Sequence, residues 1–294
     1  MTIRTVPMNA PSRLLVLAVL PALALALLPE PARAQQPFLF TTLDDPNGSG
    51  TVANGINFQG QIVGFYTNVT QHGFLLSGGT YTTIDRPHAN STQANGINNN
   101  RQVVGLYTDD VGASHAFLKT RGRYATIDVP AGVNGSAANG INNNGQVVGS
   151  YSDVNGVSHG FLLAGGVYTA IDFPNSVGTE AFGINDTGQV VGTYTDTSFR
   201  THGFLLSEGV FTPIDVPNGS GTQAFGINNN GQVVGRYTAS GTHGFLLSGG
   251  VFTSIDEPNA AFGTVAKGIN DNGQVVGFYI DAIGSAHGFL ADPL

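Results

Sequence analysis

The tripeptide Gly-Ile-Asn recurs six times, beginning at Gly55, Gly96, Gly140, Gly183, Gly226 and Gly268, at spacings of 41, 44, 43, 43 and 42 residues. A period of this size makes the chain an array of supersecondary units, each needing its neighbours to bury an apolar face. Every copy continues into a tight turn and an apolar run, Gln-Ile-Val-Gly at Gln61 and Gln-Val-Val-Gly at Gln102, Gln146, Gln189, Gln232 and Gln274. A His-Gly-Phe-Leu block follows at His72, His159, His202, His243 and His287, with His115-Ala-Phe-Leu as the variant. The last block is an aromatic-led Ile-Asp-x-Pro segment ending at Pro87, Pro130, Pro174, Pro217 and Pro258.

That last block has five copies behind a histidine block, and a sixth, Phe40 to Pro46, stands ahead of the first repeat. The repeat is thus permuted: its final quarter comes first and the chain stops after its third. An open solenoid gains nothing from such an offset and needs capped ends, whereas a closed ring gains a last blade laced from both termini, with its edges hidden. The four blocks read as strands a to d. Strand a is Thr-x-Ala-x-Gly-Ile-Asn (Thr51 to Asn57), strand b Gln-Val-Val-Gly-x-Tyr, strand c His-Gly-Phe-Leu-Leu, and strand d the aromatic block stopped by proline. Turns such as Asn142 to Gly145 supply residues that accept positive φ. The expected fold is all-β, a six-bladed β-propeller of four-stranded blades closed by the N-terminal strand joining the C-terminal blade.

Composition agrees. Of 294 residues, 42 are Gly and 14 Pro, both poor helix formers, yet 41% are hydrophobic, enough to fill a core. Cysteine is absent, which removes disulfides, thiolate metal sites and a cysteine nucleophile. Residues 1–34 read as a secretory signal peptide: Arg4 and Arg13, the apolar run Leu14 to Leu28, then Ala32-Arg33-Ala34 as the cleavage site after Ala34. The run is too short to span a bilayer, which takes about 20 residues. Residues 35–294 then form a single propeller domain, secreted to the periplasm or the medium, with no membrane span of its own. Loss of Arg4, Arg13, Arg33 and Glu30 takes the formal charge from −8 to −10, which disfavours nucleic acid as a partner.

The blocks Gly-Ile-Asn-x-x-Gly-Gln-Val-Val-Gly and His-Gly-Phe-Leu resemble the HAF family of probable extracellular repeats, over about Phe38 to Leu290. The resemblance implies a secreted repeat protein and carries no activity or site residues with it.

In the expected lacing strand a lines the central channel, its small and polar residues giving room, and strand d is outermost. The a–b and c–d turns share one rim, and the d–a and b–c loops share the other. The latter vary between copies, and variable loops on a common scaffold are where function is placed. The candidate binding residues on that rim are His88, Asp109, Asp110, Asp153, Glu180, Asp196, Phe199, Arg200 and Asp281. Phe199-Arg200 is the sharpest, an aromatic beside a guanidinium.

Competing chemistries are weaker. The repeated histidines fall one per blade with no local pair to seed a metal site, so each is expected to tie strand c to a neighbouring backbone group. The carboxylates Asp44, Asp85, Asp128, Asp172, Asp215 and Asp256 are repeat-equivalent, and acid–base pairs need unlike environments, so they are expected to cap the turn that follows. The Asn-Asp-Asn-Gly turn at Asn270 invites a calcium-loop reading, but five of the six copies lack alternating acids and all lack the distant Glu of an EF-hand, so these are expected to be hairpin turns. Gly156-Val-Ser-His-Gly160 matches a nucleophile elbow in letters but runs into a strand instead of a helix. No catalytic residue, metal or cofactor is expected. The reading is a monomeric, non-catalytic binding or surface-interaction module for a glycan or cell-surface protein. The alternative is a polysaccharide-acting hydrolase or lyase with its site at the channel mouth.

Overall fold

The computed structural model describes residues 37–294. The expected signal peptide lies outside the described residues. Six four-stranded antiparallel sheets make the six blades of a β-propeller. Blade 1 runs outward through strand a (Gly50–Ile56), b (Ile62–Thr67), c (Gln71–Ser77) and d (Thr80–Thr83), and blades 2 to 5 repeat it. Blade 6 takes a, b and c from Gly263–Ile269, Val275–Ile280 and Ala286–Pro293, and its outer strand is Phe38–Leu43 from the other end of the chain. The register sets Thr41 opposite Leu290 and Leu43 opposite Gly288. Among the described residues no helix is long and apolar enough to cross a membrane.

Each repeated block has a packing reason. The two apolar residues of strand b point to opposite sheet faces, as the period of a strand requires. Val104 of blade 2 packs into the cluster of blade 3 beside Ala138, Val147 and Phe161, while Val276 of blade 6 reaches Ala53, Ile62 and Phe74 of blade 1. The phenylalanines of strand c, Phe74, Phe117, Phe161, Phe204, Phe245 and Phe289, are all fully buried, and each such burial is worth about 1.5–3 kcal/mol. The strand b glycine makes room for them: a Cβ at Gly105 would meet the Gln93 carbonyl oxygen and lie 2.9 Å from the Phe117 ring.

The Gly-Ile-Asn block forms the inner girdle. A Cβ at Gly140 would stand 2.5 Å from the Phe182 carbonyl oxygen of the next blade. The asparagine Nδ2 donates to the neighbouring blade's asparagine carbonyl in an unbroken circle, Asn57 to Asn98, Asn142, Asn185, Asn228, Asn270 and back to Asn57, at 2.9–3.2 Å. Each Oδ1 accepts the N–H of the glutamine that opens strand b, as Asn57 does from Gln61 at 2.9 Å. Both ends of these buried amides are thereby satisfied, which burial of a polar group demands.

Two expectations are corrected. The alanine and threonine of strand a, such as Ala53 and Thr51, do not line the channel but are buried on the other face. Alternation sends only the intervening positions inward. The Ile-Asp carboxylates fold back onto strand c instead of capping the following turn. Asp85 accepts the Gly73 N–H at 2.9 Å and faces His72 Nδ1 at 2.7 Å. The turn is held by the strand a threonine: Thr92 Oγ1 accepts the Arg86 N–H and Thr222 Oγ1 accepts the Val216 N–H.

Candidate functional site

The six repeated histidines sit beneath the variable rim with Nδ1 against the Ile-Asp carboxylate of their own blade, at 2.6–3.1 Å, the sixth pair joining His287 to Asp44 across the ring closure. This replaces the expected bond to a backbone group. A strand b tyrosine stacks on each ring, with centroids 5.0–5.3 Å apart. In four blades a second carboxylate faces Nε2: Asp109, Asp153, Asp196 and Asp281, at 3.2, 3.8, 3.4 and 3.2 Å. The other oxygen of each accepts two N–H groups of its own loop, from Val111 and Ala113 in the case of Asp109. Those backbone bonds hold the four carboxyls below the ordinary range. Hydrogen bonding to Asp128 and to Asp44 raises His115 and His287 respectively.

The four aspartates thus brace their own loops, one to a blade, and do not converge. Asp110 and His88 are exposed, His88 with φ of 65° in the loop between blades 1 and 2. Phe199 and Arg200 are exposed at the tip of the blade 4 loop. Phe199 is 81% exposed and has φ of 60°, in the slot where the sister loops carry Gly112, Gly156 and Gly284. Glu180 is not in a loop. Strand a of blade 4 begins at Gly178, so Glu180 pairs with Thr193 at a channel-facing position, where the Ser158 hydroxyl donates to it at 3.2 Å. Among the described residues no group of three or more His, Asp or Glu is arranged to hold a metal ion.

The nine residues are spread over the rim loops and, for Glu180, the channel wall; a cavity lies elsewhere, on the ring axis. A cavity of about 290 Å³ occupies the channel on the variable-rim side of the Gly-Ile-Asn girdle. Its walls are the x positions of the repeat, those that Thr-x-Ala-x-Gly-Ile-Asn and Gln-Val-Val-Gly-x-Tyr leave open. Directly above the girdle these are Asn54, Asn95, Asn139, Phe182, Phe225 and Lys267. Nearer the mouth, Phe65, Leu106 and Phe278 form an apolar arc across blades 6, 1 and 2. The matching positions of blades 3 to 5 are Ser150, Thr193 and Arg236.

The ring is sixfold in backbone and asymmetric in side chains. Asn54, Asn95 and Asn139 each donate to an alanine carbonyl of the next blade, at 2.9–3.1 Å. Phe182 and Phe225 meet edge to face, with centroids 5.0 Å apart, and Lys267 Nζ lies 3.8 Å from the Phe225 ring centre. Burial, reinforced by the positive charge of Arg236, pulls the Lys267 ammonium down to about 8 against a weaker opposing pull from Glu180. Sequence reasoning missed this chamber by following the variable loops. The signal was present in the repeat itself, where one interior slot reads Asn, Asn, Asn, Phe, Phe, Lys.

No protein-family model and no curated protein matches the chain. Solved structures do. A catalytically inactive variant of virginiamycin B lyase from Staphylococcus aureus with quinupristin has a TM-score of 0.51 at 14% identity, covering 87% of this chain and 99% of that one. The fungal lectin of Aleuria aurantia, a six-bladed β-propeller with a fucose recognition mode, gives 0.52 at 12% identity over 82% and 91%. A gluconolactonase from Xanthomonas campestris gives 0.55 at 14% identity over 87% and 90%. At such identities the likeness is one of fold.

Proposed function

We propose that the chain is a secreted, non-catalytic binding module of the HAF repeat type, which takes a small molecule or the end group of a glycan into its channel mouth. The observation that carries this is the chamber at the sixfold axis, where repeat symmetry is kept in the backbone and abandoned in the side chains. Pure scaffolding gives no reason for six equivalent slots to hold three amides, two phenyl rings and an ammonium. A concave, partly apolar space with a few convergent polar groups is the usual form of a ligand site, and about 290 Å³ is at the small end of the range. Loop tips at Val69, Val111, Val154, Phe199 and Ile283, all exposed, stand on the same rim and suit contact with a larger carrier of the ligand.

A lectin neighbour with fucose recognition supports the binding reading, and lyase and lactonase neighbours keep the enzymatic alternative in view. Binding is favoured because the His–Asp pairs are dispersed one set per blade, and the one channel-facing carboxylate, Glu180, is engaged by the Ser158 hydroxyl. A deprotonating reaction needs an acid and a base within reach of one atom. The test is titration of the isotope-labelled protein with a panel of glycans and small acids, followed by NMR. Shifts confined to Lys267, Phe225 and their neighbours are expected, with no turnover of the ligand. Shifts confined to the outer strands, or product formation, would refute the reading.

A further inference from the structure

The charges along the channel wall, Lys267 in the chamber and the exposed Arg236 and half-buried Glu180 beside it, run against those of the whole. The sequence has 19 acidic and 11 basic residues, and the formal charge is −8. Yet the inward-facing positions of strands a and b hold two of the eight Lys and Arg beyond residue 36, Lys267 and Arg236, against the single carboxylate Glu180. Glu180 is partly engaged by the Ser158 hydroxyl. Arg236 spends its Nε–H on Gln223 Oε1, which leaves its terminal nitrogens free for another acceptor. Lys267 has no hydrogen-bond acceptor and no ion pair among the described residues; every ion pair there joins a histidine to an aspartate.

A half-buried ammonium whose one protein partner is a phenyl face is poorly paired. Nearer the mouth, the apolar arc of Phe278 in its own blade, Phe65 in the adjoining blade 1 and Leu106 in blade 2 lines the same chamber. Deepening the channel-binding reading, on which it rests, we propose that the ligand is a small organic carboxylate with an apolar, ring-sized body. Its carboxylate pairs with Lys267 and Arg236, and its body lies against Phe65, Leu106 and Phe278. A bound carboxylate supplies the acceptor that Lys267 lacks, and a charge-assisted hydrogen bond in such a site is worth about tenfold or more in affinity.

The experiment compares phenylacetate, its neutral amide phenylacetamide, and glucuronate, an acid without an apolar body, by calorimetric and NMR titration at pH 6.5. Phenylacetate is expected to bind at least about tenfold more tightly than either of the other two, shifting Lys267 and Phe225 resonances. In K267Q, checked for fold by circular dichroism, the preference over the amide is expected to shrink, and in K267Q/R236Q to vanish, while weak binding of both aromatic probes persists. Equal affinity for phenylacetate and phenylacetamide would overturn the anion assignment and leave channel binding standing. Glucuronate binding as tightly as phenylacetate would overturn the apolar body. Absence of all three from the channel would overturn the inference together with the small-acid form of the reading beneath it, whereas a glycan seated there in the separate panel would still uphold channel binding.

Discussion

Lys267→Met isolates the energetic consequence of placing an ammonium in the channel. An ordinary lysine holds its proton to about 10.4, and the enclosure of Lys267 brings this down to about 8. Below pH 8 folded and unfolded chains both carry the proton, and the folded state bears the whole penalty. Between about 8 and 10.4 the unfolded chain binds more protons, so the penalty is relieved and stability rises with pH. At about 1.4 kcal/mol per pH unit the penalty has a ceiling near 3 kcal/mol. Water reaching the open side of the chain and the Phe225 contact, worth about 0.5–1 kcal/mol, reduce it to about 2 kcal/mol. Lys267→Met should therefore be more stable than the wild type by about 2 kcal/mol at pH 7, and the two should converge near pH 10. Urea unfolding of both proteins from pH 6 to 10 measures this. Tyr81, pushed up to about 12, and Tyr124, pushed higher still by burial, lower stability at alkaline pH. Both proteins share that effect, so it cancels in the difference. A difference that does not change with pH, or a methionine variant weaker at pH 7, would refute the reasoning.

Gly105→Ala and Gly73→Ala should differ sharply in denaturant midpoint. The first drives a methyl into the Gln93 carbonyl and the Phe117 ring and should cost about 3 kcal/mol or more. The second meets side-chain atoms no closer than 3.3 Å, at the place where blade 2 already carries Ala116, and should cost under about 1 kcal/mol. Phe199→Gly removes a left-handed backbone penalty of about 1–2 kcal/mol and loses part of it to chain entropy; calorimetry should show a small gain in melting temperature, and a clear loss would mean that the exposed ring packs somewhere. The raised His115 and His287 support the fold below about pH 6.5, and this support is lost as pH rises through their folded values. The lowered Asp109 and Asp281 lend support above about pH 4 that is lost as pH falls through their folded values. The stability lost in H115Q or H287Q should consequently be largest near pH 5 and shrink toward pH 8, and an unchanging loss would count against the Asp–His–Asp arrangement.

The sequence by itself determined the ring. The sixfold count, the four strands per blade and the lacing of Phe38–Leu43 against Ala286–Pro293 follow from repeated blocks and their offset, because each block answers a packing demand that recurs in every blade. It also marked the rim on which the variable loops stand. What it did not yield was which side chains meet. The aspartates of those loops looked free to bind, yet Asp109, Asp153, Asp196 and Asp281 are occupied by their own backbone and a histidine, a pairing set by loop geometry. Six strands converging on one axis bring Asn54, Phe225 and Lys267 together from positions far apart in the chain. That neighbourhood exists only when the ring is closed, so the charge and shape of the chamber were decided by tertiary structure alone.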